Sequence, residues 1–338
     1  MKNKGFLYFK RILIVALITI LAIGIGGYCI GYVLFKGPSK SLNEVVKYTF
    51  LETRRFGWVP YIYLSEDEVG GKWHLWTVRS VGEDMNMDES MIHLDEEEEE
   101  DPYNLPDEDG DGIIQQELKY KGSTIYLITV LDPQRVFVAP CVDRPRDYGY
   151  GKTLDVLVEE NDALGGINGG GFLDDGGVGT GWPPEGIVYS NGICYYSQMS
   201  GPTAALDNDG LLHVGYFSKE DCDAMGVRDA VSLGPILLLN GEITDRNSLA
   251  SGINPRTAIG QRADGAIVMM VADGRQAYSI GISYADCADI MAEQGCINAI
   301  CMDGGNSSSM YYDGELINHP ANPAGGTRDL PDAWLIRK

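Results

Sequence analysis

Two polar, glycine-rich segments each follow a short apolar run and carry residue types that bind or cleave substrates. One reads Ile-Asn-Gly-Gly-Gly-Phe over residues 167–172, and the other reads Met-Asp-Gly-Gly-Asn-Ser-Ser-Ser over residues 302–309. Glycines after a strand let backbone N–H groups approach a ligand closely. The residues expected to face a ligand are Asn168, Gly169, Gly170, Asp303, Gly304, Gly305, Ser307 and Ser308. Each segment alone is equally well an ordinary tight turn, but two similar segments in one chain favour a shared site.

Two further segments place an arginine beside turn residues. Asn-Pro-Arg-Thr occupies residues 254–257, and Asp-Gly-Arg occupies residues 273–275. Proline fixes the direction in which Arg256 leaves its turn, and a guanidinium offers a planar fork of donors that fits phosphate or carboxylate. The alternative for each is a surface arginine in a loop. Asn254 and Arg275 are candidates for substrate binding beside Arg256.

Turn dipeptides and apolar periodicity indicate the elements that position these groups. Asn-Gly and Asp-Gly pairs, which suit two-residue hairpins because they tolerate positive φ, separate short β-rich runs at residues 191–192, 209–210, 240–241, 264–265 and 313–314. One helix is predicted over residues 154–161 with Thr153 as its N-cap, and a second after Ser283, which forms a capping box with Asp286. Short apolar strands are expected after these helices, at residues 164–168 and 297–302. The pattern predicts an α+β fold with a mixed, hairpin-rich sheet and a few helices.

The four chemical segments occur in an order that resembles the phosphodiester glycosidase family. The resemblance extends from about Tyr126 to the C-terminus, and four ordered motifs are more specific than any one of them. Two departures occur. Asn306 stands where the family's last motif usually has a third glycine, and Leu173 stands where its first motif often has a second phenylalanine. Neither departure removes an acid or the arginine, although Asn306 could narrow the pocket.

The resemblance implies an enzyme, a glycoside hydrolase that cleaves a sugar-1-phosphodiester, releasing the sugar and leaving a phosphomonoester. Glycosidic cleavage usually needs two carboxyl groups. Asp303 is the leading catalytic carboxylate, and Glu185 and Asp273 are candidates for the second. The phosphodiester is expected to bind Arg256 and the amides after Asp303. The sugar or phosphate is expected to be oriented by Asn168 and Ser307.

Two other functions use the same residues. The first is a surface carbohydrate-binding module without turnover, which would not require acids at strand ends. The second is an exopolysaccharide-assembly factor that cleaves or transfers a sugar phosphate. The clustered Asp303, Arg256 and Asp273 favour the hydrolase over the binding module.

The N-terminus contains a run of 24 residues, 12–35, without a charged side chain. Since a bilayer core needs roughly 20 apolar residues as a helix, we expect a transmembrane helix. A cleaved signal peptide is the alternative, but its apolar region is usually only about 7–15 residues long. Lysines and an arginine in residues 1–11 predict a cytoplasmic tail and place the remaining chain outside the membrane.

Residues 36–116 are expected to precede the glycosidase-like domain at residues 117–338. They are expected to form a short linker to about residue 44, an accessory segment with a helix and a strand over residues 45–80, and a mobile acidic loop over residues 81–106. The net charge of the chain is −23, and residues 83–111 contain 15 acids and no lysine or arginine. This charge disfavours nucleic acid as a partner. No cofactor is required by the residues, but acids at alternate positions suggest Ca²⁺ ligands. They are Asp107, Asp109 and Asp111, and the alternative is a solvated acidic turn. The six cysteines outside the apolar run are compatible with disulfides or with buried thiols.

Overall fold

The computed structural model describes residues 2–53, 55–70, 87–94, 107, 110–145, 147–174, 179–198, 201–246, 249, 251–322 and 325–338. The chain divides into two compact units, Met1–His74 and Leu75–Lys338.

The first unit is helical in its described residues. Its elements are α1 (Lys2–Lys36), α2 (Lys40–Leu51), a 3-10 turn (Val59–Ile62) and α3 (Glu66–Val69). The part of α1 from Tyr8–Lys36 is long and apolar enough to cross a membrane, and its most apolar stretch is not buried against the rest of the chain. The expected linker at residues 36–44 is shorter than predicted, because Ser39 caps α2 with a bond from the Leu42 N–H (3.4 Å). The strand expected in the accessory segment is absent from residues 45–53 and 55–70, and residues 71–80 lie outside the described chain.

The second unit contains α4 (Leu154–Glu160), α5 (Lys219–Met225) and α6 (Tyr284–Glu293). Its first strands are β1 (Ile113–Tyr120), β2 (Ser123–Val130), β3 (Val136–Pro140), β4 (Ala163–Asn168), β5 (Ile187–Ser190), β6 (Ile193–Ser197), β7 (Gly201–Asp207), β8 (Leu212–Phe217) and β9 (Val227–Ser232). The remaining strands are β10 (Ile236–Leu239), β11 (Glu242–Ile243), β12 (Arg256–Arg262), β13 (Ile267–Ala272), β14 (Cys296–Cys301), β15 (Met310–Tyr312), β16 (Glu315–Leu316) and β17 (Asp332–Arg337). The first strand thus begins four residues before the expected boundary at residue 117.

The strands form three antiparallel sheets around a shared core. Their orders are β1-β2-β13-β12-β14-β10-β11, β16-β15-β4-β17-β3 and β6-β5-β9-β7-β8. Apolar side chains from all three sheets meet in the central cluster, whereas α6, α4 and α5 each cover one sheet. Each fully buried side chain such as Ile290 or Trp334 contributes roughly 1.5–3 kcal/mol. The expected α+β fold is confirmed.

Local turn chemistry accounts for most of the hairpins. All five predicted dipeptides connect paired strands, and Asn191, Asn240 and Asp313 adopt the positive φ that such turns require. The capping box of Ser283 and Asp286 is present at the start of α6. Thr153 occupies the expected N-cap position of α4, but its side chain makes no capping hydrogen bond there.

Part of the acidic segment is ordered against the second unit. Among the described residues 87–94, the His93 N–H donates to the Ala263 carbonyl (2.7 Å), and the Asp88 N–H donates to Asn240 Oδ1 (2.7 Å). Residues 87–94 therefore pack on the rest of this unit. The other residues of the expected acidic loop, 81–86 and 95–106, lie outside the described chain. All seven cysteines are free thiols, so the structure contains no disulfide among the described residues.

Candidate active site

Three of the four motifs meet at one end of three adjacent strands in the seven-stranded sheet, because of the order in which those strands pair. β12 lies between β13 and β14 and is antiparallel to both, so its first residue lies beside their last residues. Arg256 pairs with Ala272, the residue before Asp273. β14 ends at Cys301, two residues before Asp303. The sheet therefore brings together segments that are far apart in sequence.

Asn168, at the end of β4, links the second sheet to the strand ends where these motifs meet. Its Nδ2 donates to the Asp303 carbonyl (2.7 Å), while its Oδ1 accepts from Thr257 Oγ1 (2.8 Å) and from the Ser309 N–H (3.1 Å). The side chain is fully buried. Asn168 thus holds the backbone of Asp303 in place, which gives it a positioning role at the site.

The glycine run of residues 169–171 contacts three residues that carry carboxyl groups. The Asp303 N–H donates to the carbonyl of the first glycine (3.0 Å), and the Glu185 N–H donates to that of the third (2.8 Å). The N–H of the first glycine donates to the Asp332 carbonyl (3.1 Å), and that of the second donates to Asp332 Oδ1 (2.7 Å). One three-residue turn therefore gathers Asp303, Glu185 and Asp332.

The packing around the first two glycines of this run leaves no room for a side chain. A Cβ at Gly169 would lie 2.1 Å from Asp332 Oδ1, and a Cβ at Gly170 would lie 2.7 Å from Val231 Cγ1. Glycine is needed here because the backbone itself approaches the carboxyl group closely.

Asp332 is the acid that sequence reasoning missed. It is fully buried, and its Oδ2 has no hydrogen-bond partner among the described residues. Burial raises the pKa of Asp332 to about 7; the Gly170 N–H opposes this rise and the charge of Asp303 adds to it. The available signal was an acid directly before the apolar run of residues 333–336 in β17.

Glu185 and Asp303 are both partly exposed as residues, although the Oε2 atom of Glu185 is itself buried. Glu185 also contributes, after burial, to the raised pKa of the nearby Tyr196. The structure thus ties the backbones of both predicted acids, Asp303 and Glu185, to the same glycine run.

Asp273, the other candidate for the second carboxylate, is almost fully buried. It accepts from Asn318 Nδ2 (3.0 Å) and from the His319 N–H (3.0 Å). Burial raises its pKa, and the bonds from Asn318 and His319 oppose that rise. Asp273 therefore fixes the segment at residues 318–319, whereas Glu185 is the more accessible acid.

The two arginines of the predicted site are held differently. Arg256 is buried, stacks 3.8 Å from the Tyr284 ring centroid, and donates to the carbonyls of Gly252 (2.8 Å) and Ile282 (3.2 Å). A Cβ at Gly304 would lie 3.8 Å from its Nη1. Arg256 thus places a buried positive charge beneath the turn that follows Asp303.

Arg275 lies at the surface of the same turn. Its Nη2 donates to Asn254 Oδ1 (2.9 Å) and its Nη1 to Asn306 Oδ1 (2.8 Å), while a Cβ at Gly305 would lie 3.2 Å from Nη2. The backbone of Arg275 has a φ of 59°, an uncommon conformation for a residue with a side chain. Asn306, the departure from the family motif, therefore orients this exposed guanidinium.

The remaining predicted ligand groups lie in the turn after Asp303. The Gly305 N–H donates to the Pro255 carbonyl (2.9 Å) and is thereby occupied. Ser307 and Ser308 are buried, and neither hydroxyl has a hydrogen-bond partner within the described ranges. A buried hydroxyl without a partner lowers the stability of the fold, because it has lost its hydrogen bonds to water. A ligand that bonds to these two hydroxyls would recover part of that free energy.

A third arginine, not predicted from the sequence, stands near the first glycine-rich segment. Arg328 forms an ion pair with Asp174 (3.0 Å) and lies 4.6 Å from the centroid of the Phe172 ring. No turn motif marks Arg328, and only the fold places it beside Phe172.

The candidate calcium ligands remain a prediction. Asp107 accepts from the N–H groups of Gly110 and Gly112 (both 2.9 Å), and Asp111 Oδ1 accepts from the Ile113 N–H (2.8 Å). Asp109 lies outside the described residues, and within the described chain no group of three or more His, Cys, Asp or Glu could hold a metal ion.

Comparison with known proteins gives concordant matches. The family model described as phosphodiester glycosidase matches residues 161–337, slightly more than half of the chain. The SPbeta prophage-derived uncharacterized protein YomE of Bacillus subtilis is 32% identical over 165 residues, which cover 45% of this chain and 25% of that protein. Human N-acetylglucosamine-1-phosphodiester alpha-N-acetylglucosaminidase is 30% identical over 175 residues, covering 46% of this chain and 33% of the human protein. The chain therefore spans a third or less of the length of these curated relatives.

A solved structure shares the fold. The zebrafish N-acetylglucosamine-1-phosphodiester alpha-N-acetylglucosaminidase catalytic domain, auto-inhibited by its pro-peptide, aligns with a TM-score of 0.57 at 22% identity. The alignment covers 67% of this chain and 82% of that chain. Together with the family match over residues 161–337, which contain all four ordered motifs, these observations show that the chain belongs to the phosphodiester glycosidase family.

Proposed function

We propose that this chain hydrolyses the bond between a sugar and phosphate in a sugar-1-phosphodiester, releasing the sugar and leaving a phosphomonoester. The observation that carries the proposal is the glycine run of residues 169–171, which hydrogen-bonds to Asp303, Glu185 and Asp332. The backbone N–H groups of Asp303 and Glu185 and the carboxyl group of Asp332 all bond to this one turn. A carbohydrate-binding module has no need of three acidic residues held at one turn, so this arrangement favours a hydrolase.

Asp303 and Glu185 take the two carboxylate roles that glycosidic cleavage uses. Asp303 is partly exposed at the end of β14, and its backbone is held by Asn168 and by the glycine run. Asp303 acts at the anomeric centre, and Glu185 serves as the second carboxylate. Because a phosphate leaving group is already weakly basic, protonation of the leaving oxygen contributes less than in an ordinary glycosidase.

The arginines hold the phosphate. Arg275 is exposed and oriented by Asn254 and Asn306, so its planar fork contacts the phosphodiester directly. Arg256 supplies positive charge from beneath the turn. The charge that develops on the departing phosphate is stabilised because these donors are already in place before the bond breaks.

Asp303→Asn tests this assignment, because it removes the carboxylate but keeps the side-chain shape. We expect hydrolysis of sugar-1-phosphodiesters to fall by about a hundredfold or more, with the thermal unfolding midpoint nearly unchanged. Asp313→Asn, in an exposed turn of the same unit, is the matched control and should keep full activity. A fully active Asp303→Asn variant would contradict the assignment.

Hydrolysis in heavy-oxygen water separates this reaction from phosphodiester cleavage at phosphorus. The proposed reaction places the heavy oxygen on the released sugar, whereas attack at phosphorus places it on the phosphate. Label in the phosphate would show a phosphodiesterase. No turnover across a panel of sugar-1-phosphodiesters would favour the binding module instead.

We also propose that α1 is a retained anchor, with the N-terminus in the cytoplasm and the second unit outside, near phosphate-linked glycans of the envelope. The packing at its end supports retention over cleavage. Phe35 is buried against Phe50 (5.7 Å between ring centroids) and Tyr63 (5.0 Å), and removal of α1 would uncover both. Membrane fractions washed at alkaline pH should retain the full-length chain, and protease added to intact cells should digest the second unit; release of the chain into the medium would argue for a signal peptide.

A further inference from the structure

The outer end of α1 packs against a turn of the following chain through aromatic rings. The Tyr63 ring lies 5.0 Å from that of Phe35 and 5.4 Å from that of Tyr28, measured between centroids. A Cβ at Gly31 would lie 2.1 Å from Tyr63 Oη, so this glycine lets the tyrosine approach the helix backbone. The position of Tyr63 along α1 is therefore fixed at Gly31.

Gly31 marks the level of the outer bilayer boundary when α1 spans the membrane. The uncharged run begins at Ile12, and about 20 helical residues are needed to cross the hydrocarbon core. Counting from Ile12, that length ends near Gly31. Lys36, five residues further on, forms an ion pair with Glu68 (3.3 Å), as expected for a group on the aqueous side.

The segment of residues 56–62, just before Tyr63, exposes large apolar side chains at this level. The exposed fractions are 48% for Phe56, 61% for Trp58, 42% for Tyr61 and 48% for Ile62. Tryptophan and tyrosine favour the membrane–water interface, where their rings meet acyl chains and their polar atoms meet headgroups.

The backbone of the same segment is suited to such a position. The Val59 N–H donates to the Phe56 carbonyl (3.0 Å), the Tyr61 N–H to that of Trp58 (3.2 Å), and the Tyr63 N–H to that of Pro60 (3.0 Å). Backbone groups paired in this way lose little when they leave bulk water. Arg55, which is exposed, immediately precedes the segment and is suited to lipid phosphates.

We propose that residues 56–62 form a membrane-docking surface that inserts Phe56, Trp58, Tyr61 and Ile62 into the outer interface of the bilayer beside α1. The partner is a phospholipid surface. This inference rests on the proposed retention of α1 as an anchor. It goes beyond the anchor by assigning a second lipid contact, which fixes the angle at which the chain leaves the membrane.

The test uses the full-length chain in phosphatidylcholine vesicles and measures quenching of tryptophan fluorescence by brominated lipids. We expect strong quenching by lipid brominated near the headgroup end of the acyl chain and weaker quenching by lipid brominated near the chain terminus. Trp58→Phe should remove most of the shallow quenching, because phenylalanine still inserts but does not fluoresce. Trp182→Phe is the control and should leave the quenched signal in place, since Trp182 is a buried residue of the second unit.

The outcomes separate the two proposals. Failure of the full-length chain to float with the vesicles would refute the anchor. Flotation with equal quenching in wild type and Trp58→Phe would refute the docking surface while leaving the anchor intact. Flotation with Trp58 unquenched by bromolipid yet shielded from aqueous acrylamide would also refute it, because the segment would then be covered by another part of the chain.

Discussion

Replacing Asp332 with asparagine should change how the stability of the second unit depends on pH. Asparagine has nearly the same shape and can still accept from the Gly170 N–H, but it cannot ionise. Of the ionisable groups near Asp332, Asp303 raises its pKa, and Cys141 stays neutral because burial raises the pKa of that thiol to about 12. The substitution therefore removes one titratable group, the Asp332 carboxyl, from this part of the core.

The magnitude follows from the two pKa values of Asp332. In the folded chain its pKa is about 7, compared with an ordinary value of 3.8. Because the folded state binds this proton more tightly than the unfolded state, the free energy of unfolding falls as pH rises from about 4 to about 7 and then levels off. At about 1.4 kcal/mol per pKa unit, the wild type loses about 4 kcal/mol across that window, and Asp332→Asn does not.

Urea unfolding followed by tryptophan fluorescence at pH values from 4 to 9 measures the effect, since the fully buried Trp334 lies two residues from Asp332. The amide donor placed where Oδ2 now lies has no acceptor, which costs about 1–3 kcal/mol at every pH. The decisive quantity is therefore the difference in slope between the two proteins. Parallel curves for wild type and Asp332→Asn would refute the reasoning, and Asp313→Asn, at an exposed turn, should follow the wild type.

Three further substitutions test the site. Gly169→Ala should cost about 1–3 kcal/mol of stability and most of the activity, because its Cβ would lie 2.1 Å from the Asp332 carboxyl; differential scanning calorimetry and a sugar-release assay measure both. Asn168→Ala should cost at least about 3 kcal/mol, since it leaves the Asp303 carbonyl and other buried partners unpaired, and urea unfolding measures that loss. Arg275→Gln should lower kcat/KM about 10–100-fold without unfolding the chain, because it would remove the charge-assisted bond to phosphate that we propose for this residue.

Each of these substitutions has a matched control. Gly201→Ala adds a Cβ where no atom lies within 4 Å and should be neutral. Asn208→Ala changes an exposed turn, and Arg246→Gln removes an arginine paired with Asp289 at the surface. Activity lost equally in a control and its partner would show that the loss is not specific to the site.

Sequence reasoning succeeded where the determinants are local. Asn191-Gly192 specifies its hairpin through two neighbouring residues, and Ser283 caps α6 through a residue three positions away. The same reasoning expected Asn168 to orient the substrate and could not assign its role in holding the Asp303 backbone, and it missed Asp332 altogether. Their contacts depend on strand pairings between distant segments, and nothing near Asp332 in sequence shows that a glycine run lies against it.

The arginines show the same limit. Their types and positions indicated anion binding, but only the sheet order shows that Arg256 lies buried beneath the turn and Arg275 lies exposed above it. Asn306 was noted as a departure from the family motif, and its hydrogen bond to Arg275 gives that departure a role.

The Asn168 side chain has a consequence for the order in which the chain folds. Three of its hydrogen-bond partners lie 89, 135 and 141 residues away along the chain. Contacts of such long sequence separation form late, because the entropy of closing large loops must be lost before they stabilise anything. The Asp303 backbone therefore reaches its place in the folded chain only when both sheets have paired. A nascent or truncated chain would carry the acid that we propose as catalytic without the geometry that its proposed role requires.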